Sequence, residues 1–264
     1  MGPKLVITSI IITAAVFAVA WVGDQTGSTL YGIPLMTAMA LGIFGVQWVG
    51  LIHARLFETE HYFDLVGSLT YVTVTIFAIH QAAEIGLRQQ IIAGVVIVWA
   101  ARLGPFLFIR IQKAGEDRRF RKIKLSTPRF LVTWTLQGTW VFLTAGAALA
   151  AIMTPNTAPL GTVFFVGAAM WVLGFAVEVI ADNQKSAFKA DPANENKFIT
   201  TGIWARAQHP NYFGEILLWA GVAVMALPSL SGSAMIFLIS PVFVAVLLTR
   251  ISGVPLLRKT AGAR

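Results

Sequence analysis

Eight stretches of this chain are apolar enough, over enough residues, to cross a lipid bilayer, and that feature leaves few folds open. They run Leu5–Val22, Ile33–Ile52, Tyr62–Ala82, Ile91–Ile109, Phe130–Met153, Leu160–Ala181, Asn211–Leu227 and Ser233–Thr249. A helix needs roughly 20 apolar residues to span the hydrocarbon core, and inside lipid each backbone N–H and C=O must find its partner within the protein. A transmembrane barrel would show segments of about 10 residues alternating apolar with polar, and no such pattern recurs. The expectation is an all-α polytopic bundle of seven to eight spans in a single integral-membrane domain, with N-terminal spans over 1–82 and a second half over 83–264. Only Pro228 and a Ser/Gly-rich stretch separate the last two spans, so they form a tight hairpin or one broken helix.

Composition enters as an exclusion. Charged residues make up 12% of the chain and mean hydropathy is +0.73, whereas a soluble domain carries about a quarter charged residues. A soluble enzyme, a disordered chain and a nucleic-acid-binding domain are excluded. The chain has no cysteine, which removes disulfide frameworks, iron–sulfur clusters, thiolate zinc sites and a cysteine nucleophile.

Charge then orients the bundle. Of the 20 Lys and Arg residues, 18 fall in the N-terminus, His53–His61, Arg110–Arg129, Asp182–Pro210 and the tail from Arg250. Arg88 alone lies in the opposite loops, and Arg102 sits inside a span. The bias places the basic segments in the cytoplasm, and the expected location is a bacterial inner membrane with a cytoplasm-facing site. Ala18-Val19-Ala20 after Lys4 and an apolar run resembles a signal-peptidase site. The run is long for a signal peptide, so an uncleaved first helix is expected.

Ionisable groups at membrane depth are costly and mark functional positions. Three places stand out. Arg102 and Arg110 lie eight residues apart near the end of the fourth span, on nearly one helical face, and arginine forks suit phosphate. Lys113, Arg121, Lys122 and Lys124 that follow read as positive-inside anchors. Glu178 and Asp182, four apart, project from one face of the sixth span near its end. The densest cluster is Ala207-Gln208-His209-Pro210-Asn211-Tyr212-Phe213-Gly214-Glu215, leading straight into an apolar helix. Pro210 suits a helix start, whose free N–H groups and positive dipole favour an anion. The four histidines show no paired ligand spacing and there is no HExxH, so no metal is expected. Neither GxGxxG nor GxxxxGK[ST] occurs, so a nucleotide would bind without a Rossmann fold or a P-loop.

Glu178…Asp182, the segment Lys197-Phe198…Gly202-Ile203-Trp204 and His209 to Glu215 resemble the C-terminal half of the steroid 5α-reductase superfamily, nearest its bacterial branch, from about Trp99 to Thr249. The resemblance implies NADPH-dependent reduction of the C4–C5 double bond of a 3-oxo-Δ4 steroid or a similar lipophilic enone. It places Arg102, Arg110, Glu178, Asp182, Lys189, Lys197, Arg206, His209, Asn211, Tyr212 and Glu215 around NADPH, with the 2′-phosphate met by one of Lys185, Lys189, Lys197 and Arg206. It implies a ketone-polarising acid at Asp64 or Glu60, with Tyr62 or Tyr71 as phenol alternatives, and a substrate wall at Trp99 and Tyr71. The sequence departs from the family's pattern at Trp99, where a tyrosine is usual, at Gln208, where an arginine precedes His-Pro-Asn-Tyr, and in a tail that stops at Arg264. The expected partners are a lipophilic small molecule and the bilayer, with no nucleic acid, and the chain is expected to be a monomer. Two other readings stay open: an S-adenosylmethionine-dependent methyltransferase of isoprenylcysteine type, and a non-catalytic lipid transporter or scaffold.

Overall fold

In the computed structural model, residues 2–154, 159–195 and 197–251 are described. The expected spans are all present as helices: α1 (Gly2–Gly23), α2 (Leu35–Leu56), α3 (Phe63–Gln81), α4 (Leu87–Ala114), α5 (Thr127–Met153), α6 (Thr162–Ala190), α7 (Pro210–Ala226) and α8 (Ser240–Val246). The last is the α-helical centre of a longer span. A 3-10 segment, Gly232–Ile239, leads into it and a π-helical turn, Leu247–Ile251, follows. α7 closes with a 3-10 turn at Leu227–Ser229 and an extended Leu230, so the sequence around Pro228 makes a hairpin. Among the described residues, eight helical segments are long and apolar enough to cross a membrane, and the chain is an all-α, multi-pass membrane protein. The expected tail beyond Ile251 lies outside the described residues.

The only strands among the described residues are β1 (Thr29–Leu30) and β2 (Ile33–Pro34), a short antiparallel hairpin between α1 and α2. Tyr31 and Gly32 both have positive φ, 51° and 82°, which matches the twist of a tight two-residue turn. Asp24 ties this loop to α2, accepting from the Thr26 N–H at 2.9 Å and the Met36 N–H at 2.8 Å. It thereby satisfies one of the donors that a helix start leaves open.

The chain forms two compact units: Met1–Ala158 with Ala226–Ile239, and Pro159–Met225 with Ser240–Arg264. The seam expected at 82/83 falls inside the first unit. α5 is the centre of that unit, packing against α1, α2, α3, α4 and Gly232–Ile239. Its span is 83% buried, against 17% for α1. The run Ala145-Gly146-Ala147-Ala148 explains how one helix accepts so many neighbours, because small side chains let helix backbones approach in lipid. A Cβ on Gly146 would stand 2.7 Å from the Phe237 ring. α1 is continuous through Ala18-Val19-Ala20, and Val16 and Ala20 are buried.

The second unit is organised by one helix crossing. α6 carries Gly167 and Gly174, and α7 carries Gly214 and Gly221, each pair two turns apart. A Cβ at Gly174 would lie 2.5 Å from the Leu218 N, one at Gly214 2.6 Å from the Glu178 N, and one at Gly167 2.7 Å from the Met225 N. The two backbones run antiparallel in direct contact, with no room for a methyl group between them. Gly174→Ala and Gly214→Ala should each destabilise the protein, on the order of 1–3 kcal/mol as for an overpacked core. Gly94→Ala, where nothing lies within 4 Å, should change little. Thermal unfolding in one detergent checks the contrast, and equal midpoints for all three variants would refute the close crossing.

Candidate functional site

The polar end of the second unit starts from that crossing. Glu178 is 2% exposed, Asp182 8% and Glu215 9%. Glu178 and Glu215 flank the Gly174–Gly214 contact, so two carboxylates are buried at one level of an apolar helix pair. One turn further along α6, Asp182 Oδ1 meets Asn211 Nδ2 at 3.5 Å. His209 and Tyr212 stack at the start of α7, with ring centroids 5.3 Å apart and planes inclined by 27°. The stretches 178–182 and 209–215 are therefore brought side by side, with Asp182 against Asn211 and the Glu178 backbone against Gly214.

The segment leading into α7 is fastened to the last turns of α6. Trp204 donates its indole N–H to the Ala181 carbonyl at 3.0 Å, and the Ile203 N–H donates to Gln184 Oε1 at 3.1 Å. Gly202 has φ +61°, and a Cβ there would strike the Gln184 amide at 2.4 Å, so both its conformation and its space call for glycine. Lys185 lies over the Trp204 ring, 4.8 Å from its centroid. At the end of α6, Asn194 Nδ2 donates to the Phe188 carbonyl at 3.1 Å, closing a helix end that would otherwise leave that acceptor open. Gln184, Ala187, Phe188, Asp191, Asn194, Ile199, Thr201 and Gly202 line a hollow of about 350 Å³. That volume is at the lower end of small-ligand sites. Lys189, Lys197 and Arg206 are exposed around this end of the unit.

Gln184 and Trp204 hold this geometry, yet no role was assigned to either from sequence. The available signal was Gly202-Ile203-Trp204, a glycine before two apolar residues in an otherwise polar segment, which marks a turn pinned by its side chains.

The first unit holds the remaining candidates, and here the structure changes their meaning. Glu60 is 2% exposed and accepts from Lys124 Nζ at 2.7 Å and from the Asp117 N–H at 3.2 Å. Asp64, 8% exposed, accepts from Arg119 at 2.8 Å, and Arg119 Nε also donates to Asp117 Oδ2 at 2.8 Å. Both carboxylates expected to donate a proton to a ketone are thus acceptors in ion pairs, each facing a cation that a donor role would require them to leave. Lys124, read as a surface anchor, is instead the partner of a buried acid. Tyr62 is 45% exposed and stacks on Phe108 with centroids 5.7 Å apart. Its hydroxyl has no hydrogen-bond partner among the described residues.

Tyr71 and Trp99, expected to face substrate, are both 0% exposed. Their rings meet edge to face at 5.1 Å, each also touches Trp140, and the Tyr71 hydroxyl donates to the Trp140 carbonyl at 3.2 Å. This is aromatic core packing of α3, α4 and α5, and it is where the structure places the two residues expected to face substrate. Arg102 and Arg110 are on α4 in the same unit. The Arg102 guanidinium lies 4.8 Å from the centroid of the Phe106 ring, one turn on, and Arg110 is exposed. The other nine expected cofactor residues belong to the second unit.

A family model described as "Protein of unknown function (DUF1295)" matches residues 50–264. The chain belongs to this family. The matched region takes in the Glu60–Lys124 and Asp64–Arg119 pairs of the first unit and all of the second unit, and it leaves α1 and most of α2 outside. No curated protein and no solved structure matches the chain.

The Asp117 carboxylate gives the first-unit cluster a pH signature. Burial raises its pKa, but the hydrogen bonds and charge of Arg119 outweigh burial and hold it below its ordinary 3.8. A carboxylate depressed in the folded state contributes stability that is complete above the unfolded value and is lost as pH falls through the folded one. The thermal midpoint should therefore hold from neutral pH to about 4 and drop below it. Asp117→Asn should lower the neutral-pH midpoint and flatten the acid limb. An acid limb as steep as the parent's would show that Asp117 is not the group responsible.

Proposed function

We propose that this protein is an NADPH-dependent reductase of a lipophilic enone, such as the C4–C5 double bond of a 3-oxo-Δ4 steroid, in a bacterial inner membrane, with its cofactor held on the cytoplasmic side. The observation that carries the reading is the end of the second unit, where Glu178, Asp182 and Glu215 are buried and Asp182 meets Asn211, and where the later turns of α6 and the 199–202 segment line a hollow. A carboxylate accepts more than one hydrogen bond, and ribose hydroxyls and a carboxamide N–H are donors of the right kind. The exposed cations Lys189, Lys197 and Arg206 suit the phosphates, and Phe188 and Ile199 offer apolar lining for a base. The donor set fits a phosphorylated dinucleotide in kind, and the resemblance to the 5α-reductases points the same way.

When bound, NADPH supplies the reducing equivalents for the enone β-carbon. The protein's own task is then to stabilise the negative charge that develops on the substrate's carbonyl oxygen, which a donor within about 3 Å does most effectively. Among Glu60, Asp64 and Tyr62 of the first unit, the phenol of Tyr62 is the group whose O–H is uncommitted, and the resemblance to the 5α-reductases, rather than any contact between the units, is the ground for giving it that role. Glu60 and Asp64 keep the first unit's cationic segment in place.

Purification in mild detergent, followed by an absorbance scan at 340 nm and identification of the retained nucleotide, tests the cofactor. NADPH should co-purify, and Asp182→Asn should reduce its retention at least tenfold. Retained S-adenosylmethionine would overturn the reading in favour of a methyl transfer. For the acid, Tyr62→Phe should slow single-turnover NADPH oxidation by roughly 10² or more, whereas Asp64→Asn and Glu60→Gln should act mainly on thermal stability. A Tyr62→Phe variant with the parent's single-turnover rate would remove the phenol from the mechanism.

A further inference from the structure

The ion pairs of the first unit organise a segment that the reductase reading does not use. Residues 115–126 connect α4 to α5 as successive turns, with Phe120 N donating to the Asp117 carbonyl, Lys124 N to the Phe120 carbonyl and Ser126 N to the Ile123 carbonyl. Gly115 ends α4 with φ +77°, and His61 Nε2 contacts its carbonyl at 3.0 Å. The side chains then divide between two faces. Asp117, Phe120, Ile123 and Lys124 turn inward. Phe120 is 2% exposed and packs with Phe63, Phe130 and Trp134, and the two charged residues join Arg119 in the network on Glu60 and Asp64. Arg118, Arg121, Lys122 and Leu125 are exposed, at spacings that repeat every three to four residues. Arg121 pairs with Glu116, but Arg118 and Lys122 have no ion pair among the described residues, nor does Lys113 just before them.

This outward face lies at the heavily basic end of the unit. The ends of α2 and α4, the starts of α1, α3 and α5, and the loops joining them carry ten Lys and Arg residues against five Asp and Glu. The loops of the other end carry Arg88 against Asp24 and Glu84. Large apolar side chains are exposed beside the cations: Leu125 at 78%, Leu56 at 74% and Phe57 at 69%. A segment with one apolar, clamped face and a cationic outer face with apolar side chains is built to lie in a membrane interface. Buried ion pairs fix its conformation, so its cations are held in place before a ligand arrives.

We infer that the 115–126 segment is a binding surface for the phosphodiester headgroups of anionic glycerophospholipids in the adjoining leaflet, with Arg118 and Lys122 as the headgroup ligands and Leu125 seated among the acyl chain ends. The occupant is a lipid, not a soluble anion, because the cations and the exposed apolar side chains share one face of a unit that spans the bilayer. This surface stands whether or not the reductase reading does.

The full chain is purified in mild detergent and titrated with phosphatidylglycerol, phosphatidylcholine or inorganic phosphate, with thermal midpoint and lipid retention in native mass spectrometry as readouts. Phosphatidylglycerol should raise the midpoint and remain bound, and the other two should do neither. Each basic residue near an anionic surface is worth roughly fivefold in affinity, so Arg118→Gln with Lys122→Gln should weaken phosphatidylglycerol binding by about 25-fold. If that double variant loses the parent's near-ultraviolet circular dichroism, Lys113→Gln with Lys122→Gln takes its place, with the same loss expected. Equal retention of the two lipids, a phosphate effect equal to that of phosphatidylglycerol, or an unchanged affinity in a folded double variant would each overturn the proposal.

Discussion

Lipid offers no hydrogen bonds, and the arrangement of this protein follows from that. A backbone that must satisfy itself within each segment becomes helices, and helices that gain nothing from hydrophobic contact with one another in lipid must hold together by close packing. Both units show the consequence. In one, α5 uses an alanine- and glycine-rich stretch to accept five neighbouring segments. In the other, α6 and α7 meet through glycines at backbone distance. The same requirement moves polar chemistry to helix ends, where Glu178, Asp182 and Glu215 stay buried yet lie within reach of a loop. The two clusters of charged groups described here are both products of this segregation.

The spans were legible in the sequence because hydropathy over a membrane-length window reports the solvent directly. Helix α4 extends from Leu87 to Ala114, well past the expected Ile91–Ile109, since charged ends such as Lys113 continue a helix without adding to its apolar length. The pairing of 178–182 with 209–215 was also accessible, as those residue types gather at two helix ends of one local motif. What could not be read was partnership over long separations. Lys124 looked like any other cation of a basic loop, and its bond to Glu60 spans 64 positions. Tyr71 and Trp99 were site candidates only through the family resemblance, and in the structure three helices enclose them. A residue's type predicts the chemistry it can do, and its burial decides whether it is free to do it.

Asp64 and Glu60 show the same point from the side of function. A carboxyl at the start of a span can serve as an acid when its surroundings keep it neutral. These two lie opposite Arg119 and Lys124, and the cations come from a segment more than 50 residues away. The sequence supplied two acids near a membrane boundary, and the fold supplied the reason they serve as anchors. Breaking one partner of a buried pair leaves the other charge stranded, so loss of function on changing Asp64 would not by itself reveal a catalytic acid.

The fastening of the 202–204 turn to α6 carries a consequence for how this region can change over evolutionary time. Trp204 holds Ala181, and Ile203 holds Gln184, so the residue just ahead of α7 is set by α6 and not by the length of chain that precedes it. Insertions or deletions between Asp191 and Thr200 would reshape the wall of the hollow while His209, Asn211 and Glu215 kept their places. The protein thus separates a stretch free to vary in length and lining from a stretch that must keep its register, and it draws the border at a glycine.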